Sequence, residues 1–330
     1  MTAWRSVLMA SLIAALLAGC SPVGAGGSVA WGPARPSVKV HPNHLRIVNG
    51  KNATITVYAS EGSLIKTISK GLVAPFAMTF DDRGDMAVAN GDDAIVYESG
   101  ATEPAKTYKR QDSSPAAVAF DPTGRLAIAW TDHSLRIYDV TGQLVRTIQE
   151  VKQNVTGLVW DAGDNLYYAG TRQVNVYADG ESKPFETIPI RGVDIDAISV
   201  DRYSGDLAIA TEGSLKFYPA HATEPSYTVE NGFKTIALAM DYEKNVYIIS
   251  LGDNAIREYS ESGKLDRTVG SVSFPMSFAI DSRENLWVGD GQTNTVKAYP
   301  PDSGTPFLTI TDGIDGLASI AFPPPGSPNF

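Results

Sequence analysis

The sequence predicts an all-β fold: a seven-bladed β-propeller of four-stranded antiparallel blades, closed by N- and C-terminal strands in one composite blade. Three observations predict it. Short apolar strands end in Phe80-Asp81, Phe120-Asp121, Trp160-Asp161, Val200-Asp201, Met240-Asp241 and Ile280-Asp281, each step being 40 residues. Two further series have seven members each: Tyr58, Tyr97, Tyr138, Tyr177, Tyr218, Tyr259 and Tyr299, and the threonines from Thr67-Ile68 to Thr309-Ile310. Lastly, the two ends of the chain supply complementary fragments of one unit. A repeat of about 40 residues with four strand signals is the signature of a propeller blade.

The elements follow in chain order. Residues 1–19 read as a signal peptide. Met1–Arg5 is a short cationic lead, and Ser6–Ala18 is an apolar run of 13 residues. A membrane span needs roughly 20 residues, whereas this length suits an export signal. The run ends in Leu17-Ala18-Gly19-Cys20, which resembles the bacterial lipobox. The resemblance implies cleavage before Cys20, diacylglycerol on its sulfur and an acyl chain on its new amino group. Cys20 is the single cysteine, so no internal disulfide is available and the fold rests on packing. Residues 20–44, rich in Gly and Pro, read as a flexible tether with a span on the order of 25–30 Å. The membrane is thus an expected partner through the lipid anchor, and the cell envelope the expected location. Ser21, where an aspartate would favour inner-membrane retention, points by analogy to the outer membrane of a diderm host.

Residues 45–330 form the propeller domain. Leu45–Val48, Ile55–Tyr58 and Leu64–Ile68 match the second, third and fourth strands of a blade. In the next unit Ala77–Phe80, Met86–Ala89, Ala94–Tyr97 and Ala105–Tyr108 give all four. Turn residues separate the strands, and no stretch shows a sustained helical period. The last strand, Ser319–Phe322, matches Ala77–Phe80 and supplies what the N-terminal unit lacks. Pro323-Pro324-Pro325 then ends the sheet, because proline cannot donate to a ladder. The chain is expected to be a monomer.

The units resemble NHL-type propeller repeats. The best copy is Phe274–Asp281, then Asn285-Leu286-Trp287-Val288-Gly289-Asp290, then Asn294-Thr295-Val296. The resemblance implies a propeller and leaves activity open, since such rings host enzymes, receptors and scaffolds. Gluconolactonase-like and virginiamycin B lyase-like propellers share the architecture. The first implies one divalent cation held in the channel, for which Asn154, Asp194, Asp196 and Asp315 are nearest by position. No Glu opens a first strand here. The second implies a metal-assisted site containing histidine. His133 and His221 fall on opposite faces, so the blades hold no histidine pair.

Composition narrows the chemistry. The net charge is −10, which disfavours nucleic acid. No nucleophile elbow, phosphate loop or zinc-type spacing occurs. The repeated aspartates and tyrosines are expected to be structural, through turn hydrogen bonds and packing. Residues peculiar to one blade are better site candidates. On the ligand face these are Asn154, Asp194, Asp196, Lys234 and Asp315 in fourth-to-first loops, and His133 and Asp290 in second-to-third loops. Asp194 and Asp196 are two apart, which on an extended strand sets them on one side; such hard oxygen ligands would suit Ca²⁺ or Mg²⁺, and the alternative is a solvated loop surface on an acidic protein. Lys234 could instead pair with them. The function expected is a membrane-tethered module that binds a protein or small-molecule ligand. The alternative is a metal-dependent lactonase or lyase.

Overall fold

The computed structural model describes residues 44–324, except 150–152, 242, 271 and 302. Cys20, the signal peptide and the tether up to residue 43 lie outside the described residues. The strands form seven separate four-stranded antiparallel sheets. Blade 1 takes Leu317–Ala321, Leu45–Asn49, Thr54–Tyr58 and Leu64–Ile68, from the inside outward. Blade 2 runs Pro75–Phe80, Met86–Asn90, Asp93–Tyr97, Lys106–Lys109, and blade 3 Pro115–Phe120, Leu126–Trp130, Leu135–Tyr138, Leu144–Ile148. Blade 4 runs Gly157–Trp160, Leu166–Ala169, Gln173–Tyr177, Glu186–Pro189, and blade 5 Ile195–Val200, Leu207–Thr211, Ser214–Tyr218, Tyr227–Glu230. Blade 6 runs Thr235–Met240, Val246–Ser250, Ala255–Tyr259, Leu265–Val269, and blade 7 Pro275–Ile280, Leu286–Asp290, Thr295–Tyr299, Leu308–Ile310. First strands of successive blades touch all the way round, from blade 7 through blade 1 to blade 2. The ring is closed.

Small residues allow this approach at the axis. Ala77, Ala117, Gly157, Ala197, Ala237, Ser277 and Ser319 occupy one register of the seven inner strands, and all are buried. A Cβ on Gly157 would meet Ile198 Cγ1 of the next blade at 2.5 Å. One residue earlier, the ladder slips. Register shifts fall between Pro75 and Ala77, Pro115 and Ala117, Ile195 and Ala197, Thr235 and Ala237, and Pro275 and Ser277. Each leaves one extra residue, a β-bulge that re-aims the strand end.

The repeated aspartates hold the first-to-second turns. Asp281 Oδ1 accepts the N–H of Arg283 and Asn285, while Oδ2 takes Asn285 Nδ2 and Trp287 Nε1. Asp81, Asp121, Asp161 and Asp241 likewise accept backbone N–H groups two and four residues on. All seven repeated tyrosines are buried. Adjacent blades are latched on the outside: Lys66, Lys106, Arg146 and Arg267 donate to carbonyls of Gly100, Val140, Ala178 and Pro300 in the next blade's third-to-fourth hairpin.

Closure follows the expected register. Arg46, Ile47 and Val48 pair with Ala321, Ile320 and Ser319. The strand begins two residues earlier than its apolar signal, at Leu317. Leu45 pairs with Tyr58, at the end of the third strand. The chain therefore enters the ring on the face of the first-to-second and third-to-fourth hairpins, here the lower face. The upper face carries the other two loop types.

Candidate binding face at the channel mouth

Backbone hydrogen bonds tie the two upper loop types together. Gly50, Gly91, Thr131, Leu251 and Gly291, in second-to-third loops, donate to carbonyls of Gly316, Ala74, Ser114, Lys234 and Phe274, just before the inner strands. The bulge residues stand at this mouth. They are Phe76, Ala116, Asp196, Ile236 and Met276, with Thr156 and Ala318 at the matching places in blades 4 and 1. Most are half-buried within strands that are otherwise almost wholly buried. Asp196 is the sole charge among these seven positions.

Asp196 is only 9% exposed at its side chain, and Lys234 Nζ lies 3.8 Å away. The Thr235 N–H approaches Asp196 Oδ2 at 3.4 Å. Burial pushes the carboxyl up to about 6, against the opposing pull of Lys234 and the Thr235 N–H. The Thr235 hydroxyl beside it is buried and has no hydrogen-bond partner among the described residues. This is a partly matched, desolvated carboxylate at the interface of blades 5 and 6.

The other expected residues do not converge on it. Asp194 pairs with Arg172 Nε at 2.9 Å, back toward blade 4, whereas Asp196 faces blade 6. The bulge between Ile195 and Ala197 breaks the alternation that set both carboxylates on one side. Each carboxylate thus takes its own cation, while Asp194 remains near enough to raise Asp196 a little further. Asp315 pairs with Lys51 Nζ at 2.9 Å. Asn154 is exposed before the inner strand of blade 4. His133 sits at φ 64° in its hairpin, its N–H bonded to the Trp130 carbonyl. Asp290 is 1% exposed, and its carboxylate accepts the N–H groups of Ser273, Phe274, Gln292 and Thr293. Burial pushes Asp290 up, yet the N–H groups of Ser273, Thr293 and Gln292 outweigh it and hold its pKa low. It clamps a loop. Asn90 does the same in blade 2, accepting from Val73 and Ala74.

These donors do not converge into the about six to eight oxygens that Ca²⁺ takes. Among the described residues no group of three His, Cys, Asp or Glu side chains could hold a metal ion. The mouth offers a different chemistry. Val73 is 76% and Phe274 41% exposed, on the loops leading into blades 2 and 7. Phe76 and Met276 follow them, and blade 1 lies between. Arg257 lies 4.6 Å over the Phe233 ring and pairs with Asp253. Gly252 makes room for that ring, since a Cβ there would lie 2.2 Å from Phe233 Cδ1. Polar-residue sorting missed this apolar sector. Its signal was an apolar residue just ahead of the inner-strand proline, in Val73-Ala74-Pro75 and Phe274-Pro275.

The comparisons speak to architecture. No protein-family model matches the chain, and no curated protein matches it. Among solved structures, a chain in the crystal structure of a mitotic checkpoint complex superposes with a TM-score of 0.67 at 14% identity. The alignment covers 83% of this chain and 98% of that one. The likeness is one of fold. Matches run to 1498 chains, so they single out no activity.

Proposed function

We propose that this protein is a lipid-anchored recognition module of the bacterial cell envelope that binds a protein partner across its channel mouth. One observation carries the reading. The upper face sets exposed Val73 and Phe274 beside half-buried Phe76 and Met276, and sets Asp196, the one carboxylate among the seven bulge positions, in blade 5. Apolar anchors with a few oriented polar groups suit a binding face. The lower face suits the membrane side. The chain enters there at His44, and Leu64, Ile65, Leu144, Val145, Leu265 and Phe307 are exposed near its outer rim. Lipidation at Cys20 would hold that face toward the bilayer and present the mouth outward. In a host with two membranes, Ser21 directs the protein to the outer one.

Two experiments test this. Cys20→Ser is expected to move the protein from the membrane to the soluble fraction; an unchanged membrane fraction sinks the anchor. A photo-crosslinking residue placed at position 73 or 274, in cells, is expected to give a discrete protein adduct that Phe76→Asp abolishes. Adducts only from position 203, on the lower face, would put the partner on the wrong side.

A further inference from the structure

We infer that a crevice between blades 1 and 2, on the lower face, binds a phosphate group through Arg46, with Lys66 beside it. Arg46 is the only buried Lys or Arg among the described residues, at 5% exposed. A buried cation ordinarily has a carboxylate partner. Most of the other buried-stem arginines here do: Arg125 has Asp121, Arg257 has Asp253, and Arg267 has Glu258. Arg46 forms no ion pair within 4 Å among the described residues. Its Nη1 donates to the His44 carbonyl at 2.6 Å, and its guanidinium lies 5.8 Å from the Phe80 ring centroid. Residues 1–43, which lead into it, contain no Asp or Glu.

Arg46 and Lys66 line one open crevice with Phe80, Tyr97, Glu98 and Gly100. The crevice is shallow and open to solvent, with room inside for about one water-sized group, so a phosphate would sit at its mouth. Lys66 Nζ is anchored on the Gly100 carbonyl at 2.8 Å and so holds its charge at the site. Burial pulls the Arg46 guanidinium down to about 10. Burial, then the Arg46 charge, pulls Lys66 down as well. The His44 ring is lowered by burial and then by Arg46, and its Nδ1 is buried with no hydrogen-bond partner among the described residues. Arg46 and Lys66 thus share a positive field, beside a His44 ring that burial keeps neutral and that the Glu61 carboxylate also faces. Glu98 is exposed at the rim and makes no ion pair with either cation. Arginine is the side chain whose planar fork best fits phosphate oxygens.

The phosphate could be a soluble anion or a phospholipid headgroup, since the crevice opens on the face where the tether joins. The lipid source rests on the anchored reading above; the soluble source does not. The test titrates the purified chain with inorganic phosphate at constant ionic strength. A parallel arm uses a short-chain phosphatidylglycerol below its micelle concentration, with the matching phosphatidylcholine as control. At 100 times the dissociation constant the wild type should gain about 4 °C in Tm, and the gain should vanish in Arg46→Gln. Lys66→Glu, at a half-buried latch position, should abolish it independently should Arg46→Gln fail to fold. Response to phosphate alone identifies a soluble anion. Response to phosphatidylglycerol alone identifies a headgroup. No gain in either arm, or an equal gain in both variants, overturns the site and leaves Arg46 as a packing cation over Phe80. A positive phosphate arm with Cys20→Ser still in the membrane fraction would keep the site and remove the anchor.

Discussion

Asp196 shows how position alone sets a residue's chemistry. The same residue type in the turns, at Asp81 or Asp281, is held by its own backbone. Asp290 is clamped by four N–H groups. Asp196 has one long N–H contact, one distant lysine and little water. Its ordinary pKa is 3.8 and burial raises it to about 6, so folding favours its protonated form. The stability it allows is fully present below the unfolded value and is lost as pH rises through about 6. Asp196→Asn, which cannot ionise, should therefore stabilise the protein at pH 8 by on the order of 2 kcal/mol and change it little at pH 3.5. Thermal melting of both proteins across this range checks it. A variant that is less stable at pH 8 would mean that the Lys234 pair outweighs desolvation.

The inner strands are where elements meet across blades. Ser199 Oγ accepts the Met240 N–H of the next inner strand at 3.0 Å, and Ser277 Oγ accepts the Ile320 N–H at 3.2 Å. Both serines are buried. Each spares a buried N–H from standing unpaired at the axis. Ser199→Ala keeps the volume small and removes the acceptor, so it should cost about 1–3 kcal/mol. Ser199→Thr retains the hydroxyl and serves as the control. Equal denaturation midpoints for Ser199→Ala and wild type would mean that water replaces the hydroxyl at no cost. Such bridges were not legible in the sequence. A strand's neighbour in the adjoining blade, and hence the N–H that Ser199 or Ser277 meets, depends on ring geometry.

The whole molecule depends on one junction. Leu317–Ala321 is the innermost strand of blade 1 and is buried throughout. It touches the inner strands of blades 7 and 2 as well as its own blade. Deleting residues 317–330 strips Leu317, Ile320 and their ladder, a loss of about 3–6 kcal/mol from those two side chains by area alone. It also bares a strand edge. Aggregation or a large fall in Tm is expected, read by light scattering and calorimetry. A truncated protein melting like its parent would show that the ring does not need this strand.

The sequence by itself determined the number of blades, the strand order within each, the aspartate turns and the composite blade. These are local patterns repeated at one period, and repetition turns weak strand signals into a firm count. Orphan fragments at Leu45–Ile68 and Ser319–Phe322 were legible for the same reason. Only the tertiary structure decided the fates of Asp194 and Asp196, because a bulge is a slip in backbone pairing and leaves no mark in side-chain type. It likewise decided that Asp290 is sealed in a loop, that Val73 and Phe274 share a face, and that Arg46 is buried without a carboxylate. Each depends on which blades stand side by side, and that neighbourhood exists only once the ring has closed.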